Sequence, residues 1–108
     1  MKLYGIKNCD TVRKAQKFFA AQHCEIEFVD FRQQPLDDKT LQRFIDAVGM
    51  EQLVNKRSTT YRGLSDAQKA QIDNALILKN PTLIKRPVLD TSDEIIVGFN
   101  EKRYLALI

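Results

Sequence analysis

The sequence of 108 residues predicts an α/β fold in which two strand-containing segments flank a block of helices. A strand, an amphipathic helix and a second strand follow one another within residues 1–30. A helix-periodic stretch occupies the middle of the chain, and two short apolar strands come near its end. Strand–helix–strand units join parallel neighbours, so the sheet is predicted to be parallel at least in part.

The first segment reads as a βαβ unit. Residues 2–6 alternate in polarity as a strand does, and residues 25–30 do so again. Between them, apolar side chains recur at the helical spacing of Val12, Ala15 and Phe19. This predicts an amphipathic helix that ends at residues 21–23, and Asp10 or Thr11 is expected to cap its first amides.

The middle segment is predicted to be helical. Apolar residues with helical spacing are Leu41, Phe44, Ile45 and Val48. Gly49 is a natural stop for that helix, and residues 55–63 read as a polar, basic loop. Ser65 and Gln68 form a capping-box signature, so we expect one further helix from there to about Leu78.

The last segment returns to strands. Residues 87–90 and 94–99 are apolar and are separated by turn-forming residues, which predicts a hairpin. Asn100 is expected to cap a short final helix. Without its helical block, this order is a thioredoxin-like layout.

We therefore expect a single domain over residues 1–108. Residues 1–31 and 81–108 would form its sheet part, and residues 36–80 would form a helical insertion. We expect a monomer.

Composition excludes several classes of function. The net charge of +3 is too small to predict a nucleic-acid partner. No apolar run predicts a membrane segment, and no export signal is recognised, so we expect a cytoplasmic protein. Two cysteines and one histidine without paired spacing predict neither a structural disulfide nor a metal site.

Cys9 is the predicted centre of the chemistry. It lies between the end of a strand and the start of a helix, where free helix amides and the helix dipole stabilise a thiolate. Lys7 and Arg13 add positive charge nearby. Val12 occupies the position of a second cysteine in a dithiol motif, so an adduct on Cys9 needs another thiol to resolve it.

The remaining candidates have two interpretations. Cys24, beside His23, is interpreted as a packing or surface residue at the opposite end of the sheet. Lys56 and Lys85 are interpreted as part of a solvated basic surface. For Arg57 and Arg86 the sequence leaves two alternatives open, an anion-binding arginine or a solvated one.

Two segments resemble the ArsC/Spx/YffB family, and the YffB branch is the closest match. Residues 4–15 read YGIKNCDTVRKA, which is similar to the active-site segment of that family. Residues 80–87 read NPTLIKRP, which is similar to its second signature. The resemblance extends over essentially the whole chain, including the helical insertion.

The resemblance implies a thioredoxin-like fold in which Cys9 is the redox nucleophile. It implies that Arg86 binds an anion beside the thiolate and that a cis bond precedes Pro87. Other matching or neighbouring residues that could bind substrate or anion are Asn8, Thr11, Arg13 and Arg57.

Departures from the resemblance bear on the reaction. Glutaredoxin-coupled arsenate reductases of this family carry a histidine four positions before the cysteine, where this chain has Gly5. They also use three arginines, of which only Arg86 has a clear counterpart, although Arg57 lies two residues from the position of another. Spx regulators mostly carry a CxxC switch, which Val12 removes here.

The predicted function is a glutathione-dependent thiol–disulfide reductase that uses Cys9 alone. Glutathione is expected as co-substrate with no bound cofactor, a small disulfide or oxyanion as substrate, and glutaredoxin as a candidate partner. One alternative is an arsenate reductase coupled to glutathione or glutaredoxin. The other is an Spx-like regulatory module that binds RNA polymerase.

Overall fold

The computed structural model describes every residue from Met1 to Ile108, and the chain divides into two compact units. The first, which we call the sheet unit, comprises Met1–Gln34 and Arg86–Ile108. The second, the helical unit, comprises Pro35–Lys85, so it extends five residues beyond the predicted end of the insertion. No helix is both long enough and apolar enough to span a membrane.

The elements follow the predicted order. The chain begins with β1 (Lys2–Gly5), α1 (Asp10–Ala21) and β2 (Glu27–Asp30). The helical unit then contributes α2 (Asp38–Val48), α3 (Met50–Leu53), α4 (Thr59–Arg62), α5 (Asp66–Ala70), α6 (Asn74–Lys79) and a 3-10 turn (Pro81–Leu83). The sheet unit resumes with β3 (Val88–Asp90), β4 (Ile95–Val97) and α7 (Glu101–Leu105).

The sheet has four strands in the order β2-β1-β3-β4. β1 pairs with β2 in parallel and with β3 antiparallel, and β3 and β4 form the predicted hairpin. Leu3 of β1 lies opposite Phe28 on one side and Leu89 on the other. The α/β class and the thioredoxin-like arrangement expected from the sequence are therefore confirmed.

An aromatic cluster forms much of the core of the sheet unit. Phe19 stacks on Tyr104 with ring centroids 5.4 Å apart, and Phe18 meets both rings edge-on. The Tyr104 hydroxyl donates a hydrogen bond to the Gly98 carbonyl at 2.9 Å. Burial raises the pKa of Tyr104 well above its ordinary value, because the phenolate would lose its hydration.

The sequence predicts that Phe19, Phe28, Phe44 and Val97 are core residues. Phe19 and Phe44 are fully buried, as predicted. Phe28 and Val97 are only partly buried, because they belong to β2 and β4, the two edge strands of the sheet. Phe28 still packs against the hydrophobic core of the sheet unit.

Helix α1 starts differently from its prediction. Neither Asp10 nor Thr11 is the capping residue, since both lie inside the first turn. Cys9 is the N-cap, with extended backbone angles and no side-chain bond to the helix amides. The Asp10 carboxylate instead forms an ion pair with Arg13, one turn further along α1.

The helical unit is organised by side-chain caps. Asp37 caps α2 by accepting a bond from the Thr40 amide at 2.8 Å. Hydrogen bonding to the Thr40 side chain, and then to its amide, lowers the pKa of Asp37. Gly49 ends α2 as predicted, with a φ of 84°. The capping box of Ser65 and Gln68 is confirmed.

Two predictions for the helical unit are wrong. Part of the expected loop at 55–63 is helical, because the buried Ser58 caps α4 by accepting a bond from the Tyr61 amide. The single helix expected from Ser65 is broken into α5 and α6, because Asp73 caps a new helix start at the Leu76 amide.

Candidate functional site

Cys9 lies between β1 and α1, at the N-cap of a 12-residue helix. Its thiol is free and partly buried. Its carbonyl accepts the first helical bond, from the Arg13 amide at 3.0 Å, whereas its side chain makes no capping bond. A partly exposed thiol at the start of a helix is in a position where it can act as a nucleophile.

The loop that precedes Cys9 is anchored by a carboxylate that sequence reasoning missed. Asp30 is buried at the end of β2 and accepts bonds from the Lys7 amide at 3.3 Å and the Arg32 amide at 2.9 Å. Because β1 and β2 are parallel, Asp30 stands at the edge where β1 ends. An aspartate that ends a strand parallel to β1 is the signal that could have identified this role.

The two polar candidates next to Cys9 are exposed. Asn8 precedes it in the loop, and Thr11 lies in the first turn of α1. Arg13 is also exposed, and its ion pair with Asp10 offsets part of its charge. These residues surround the thiol in sequence and leave its environment polar.

Val12 and Gly5 pack against each other directly behind this region. Val12 is fully buried, and a Cβ placed on Gly5 would lie 2.6 Å from its Cγ2 and 3.3 Å from its Cγ1. Real Cβ atoms do not approach another atom so closely, so any side chain at position 5 would force Val12 to move. The valine in place of a second cysteine and the glycine in place of a histidine therefore belong to one packing arrangement.

Arg86 and Pro87 reach the same edge of the sheet as Cys9. β3 runs antiparallel to β1, with Val88 opposite Tyr4, so the residues before β3 stand where β1 ends. The Arg86–Pro87 peptide bond is cis, as the resemblance implies, and the Pro87 carbonyl accepts a bond from the Gly98 amide at 2.8 Å. Arg86 is partly buried, unlike a freely solvated arginine.

Cys24 and His23 lie away from this edge. They precede β2, which runs parallel to β1, so they occupy the edge where β1 begins. The Cys24 thiol is free and donates a weak hydrogen bond to the Glu25 carbonyl at 3.8 Å, and the residue packs against the hydrophobic core of the sheet unit. His23 is exposed with a φ of 54°.

Arg57 belongs to the helical unit. Its side chain is exposed, and its amide donates to the Asn55 side-chain oxygen at 3.0 Å. No group of three or more histidine, cysteine, aspartate or glutamate side chains is placed to hold a metal ion.

The fold and the site together define a thioredoxin-like α/β protein with a single cysteine at the N-cap of its first helix. The chain belongs to the ArsC family, whose model matches residues 4–107. An uncharacterized protein of Haemophilus influenzae is 44% identical to it, over 96% of this chain and 95% of that protein.

Two solved structures are similar over nearly the whole chain. That of a YffB protein is 38% identical, covers 97% of this chain and 96% of its own, and has a TM-score of 0.91. That of an arsenate reductase (ArsC) related protein from Brucella melitensis is also 38% identical, with coverages of 97% and 91% and a TM-score of 0.76. The fold is thus that of the arsenate reductase-like proteins.

Proposed function

We propose that the protein is an oxidoreductase in which the Cys9 thiolate attacks a disulfide and glutathione resolves the adduct. The observation that carries this proposal is the position of Cys9, a free and partly buried thiol at the N-cap of α1. Position 12 holds a buried valine, so no second thiol of the motif can close an internal disulfide. A thiol from outside the motif must complete the cycle.

The reaction consumes one molecule of glutathione for each mixed disulfide that is reduced. The Cys9 sulfur forms a bond with the glutathione sulfur of a mixed disulfide, the original sulfur–sulfur bond breaks, and the substrate leaves as a thiolate that takes a proton. A glutathione thiolate then attacks the Cys9 adduct, forms oxidised glutathione and releases the Cys9 thiolate. The net reaction converts the mixed disulfide and one glutathione into the free substrate thiol and oxidised glutathione.

The charged and polar candidates would position the substrate. Arg86 reaches the edge where β1 ends, and its guanidinium suits a carboxylate or an oxyanion. Asn8, Thr11 and Arg13 adjoin Cys9 along the chain and would offer further donors. A cytoplasmic location, where glutathione is reduced, fits this cycle.

Arsenate reduction by the same thiol is the second candidate. A relative of 38% identity is described as related to arsenate reductase, which supports an oxyanion substrate. Gly5 weighs against arsenate reduction, because this chain lacks the histidine that the resemblance places at that position in arsenate reductases. A side chain at position 5 would also collide with Val12. We do not extend the proposal to an Spx-like regulator, since Val12 also removes the CxxC switch.

A coupled turnover assay tests the proposal. The mixed disulfide of glutathione and 2-mercaptoethanol serves as substrate, with excess reduced glutathione, and oxidised glutathione is followed through glutathione reductase and NADPH. We expect turnover that disappears in Cys9→Ser and persists in Cys24→Ser. Equal rates for the wild type and Cys9→Ser would refute the proposal. Turnover when arsenate replaces the mixed disulfide, but not with the mixed disulfide itself, would favour the second candidate.

A further inference from the structure

A small pocket of 290 Å³ lies wholly within the helical unit, and four of the residues that line it are charged. Three cationic residues line it, namely Lys56, Arg57 and Lys85. Glu51 and Asn55 belong to the same lining, as an acidic and an amide residue. Sequence reasoning interpreted the two lysines as a solvated basic surface, because nothing in the sequence shows that residues nearly 30 positions apart share a pocket.

The backbone holds the cationic residues together. Val54 forms an antiparallel bridge with Ile84. The Asn55 amide donates to the Leu83 carbonyl at 2.7 Å, and the Lys85 amide donates to the Leu53 carbonyl at 2.8 Å. These two hydrogen bonds make up the bridge, and they fix the two chain segments that carry the cationic residues side by side.

The pocket's charges have no partners within the protein. None of its three cations takes part in an ion pair, and neither does Glu51. A larger pocket of 350 Å³ in the same unit carries one lysine and one aspartate, and that aspartate, Asp73, already caps α6. Three unpaired cations around a small concavity repel one another, and a bound anion would relieve that repulsion.

We propose that this pocket binds the zwitterionic head of an α-amino acid, namely the γ-glutamyl end of glutathione. The α-carboxylate would pair with Arg57 and the two lysines, and the α-ammonium would pair with Glu51. The glycyl end of glutathione carries a carboxylate but no ammonium group, so it leaves Glu51 unmatched. This inference rests on the proposed function for the choice of glutathione, and Lys85 directly precedes the candidate Arg86 in the chain.

The experiment uses the full chain with Cys9→Ser, so that binding is measured without thiol exchange. The probe is S-methylglutathione, titrated into labelled protein while amide chemical shifts are recorded. We expect shifts at the pocket amides and about tenfold weaker binding in Arg57→Gln and in Lys85→Gln, the loss of one charge-assisted hydrogen bond. Arg62→Gln, an exposed arginine outside the pocket lining, is the charge-matched control and should keep the original affinity.

A second probe tests the ammonium. N-acetyl-S-methylglutathione should bind about tenfold more weakly than S-methylglutathione, and Glu51→Gln should abolish that preference. Equal affinities in Arg57→Gln and Arg62→Gln, or a preference that survives Glu51→Gln, would overturn the inference. Because the protein used lacks the Cys9 thiol, this failure is separate from a failure of turnover, which the coupled assay detects on its own.

Discussion

A free cysteine lies near each end of helix α1, and the surroundings of the two cysteines differ. At the N-terminal end, Cys9 caps the helix beside exposed polar residues and makes no side-chain bond to the helix amides. Just beyond the C-terminal end, Cys24 packs against the hydrophobic core cluster to which Phe19 and Tyr104 belong. The 12 residues of α1 separate these environments by about 18 Å.

The two ends of α1 therefore have different roles, one in the proposed chemistry and the other in the stability of the fold. Its first turn presents the positive end of the helix dipole to a thiol at the sheet edge that Arg86 also reaches. Its last turn supplies aromatic rings to the core. Substitutions at the first end should therefore change chemistry, and substitutions at the second should change the free energy of unfolding.

The largest expected effect is on turnover. Cys9→Ser should lower the rate of glutathione-dependent disulfide reduction by about 10³-fold or more, because serine is a far weaker nucleophile. Cys24→Ser, the matched control at the other end, should stay within about twofold of wild type. Similar losses in both variants would mean that the two ends do not differ as proposed.

The next largest effect is on stability at the C-terminal end. Phe19→Ala should reduce the free energy of unfolding by about 3–5 kcal/mol, since its ring is fully buried in the aromatic cluster. Phe28→Ala, on the edge strand β2, should cost less because that ring is only partly buried. Denaturant unfolding measures both, and the reverse order would contradict the assigned packing.

A smaller effect tests the packing behind Cys9. Gly5→Ala should destabilise by about 1–3 kcal/mol, because its new Cβ would collide with Val12. In the Val12→Ala background, Gly5→Ala should cost less, because the colliding methyl groups are gone. A double-mutant cycle of the two substitutions should therefore give an interaction energy of at least about 0.5 kcal/mol. Additive costs in thermal or denaturant melts would show that the two residues are not in contact.

The smallest effect concerns pH. The pKa of Tyr104 is raised by burial, so above about pH 10 the unfolded chain loses this proton while the folded chain keeps it. The free energy of unfolding should therefore decline as the pH rises above about 10. Tyr104→Phe should cost about 1 kcal/mol at neutral pH through its lost hydrogen bond and should reduce that decline. An unchanged decline in the variant would refute this role.

Local signals explain what the sequence could predict. The period of α1, the glycine that ends α2 and the Asn100 cap of α7 each depend on a few neighbouring residues, and each matches the structure. The break between α5 and α6 was missed because Asp73 competes with the helix for the same amides. Periodicity alone does not show which of the two arrangements has the lower free energy.

The candidate site likewise contains residues that the sequence could identify and residues that it could not. Cys9 could be identified from its position between a strand and a helix, and the resemblance supplied Arg86. The roles of Asp30 and of the Gly5–Val12 contact depend on strands and helices that come together only in the folded chain. The pocket at Arg57 and Lys85 depends on a pairing between segments far apart in sequence.

The most direct test is to weigh the intact protein after incubation with oxidised glutathione under native conditions. Wild type and Cys24→Ser should each gain one glutathione adduct, and Cys9→Ser should gain none. This result would assign the nucleophile to the N-terminal end of α1. An adduct on Cys9→Ser, with none on Cys24→Ser, would contradict the account by placing the reactive thiol at the other end of the helix.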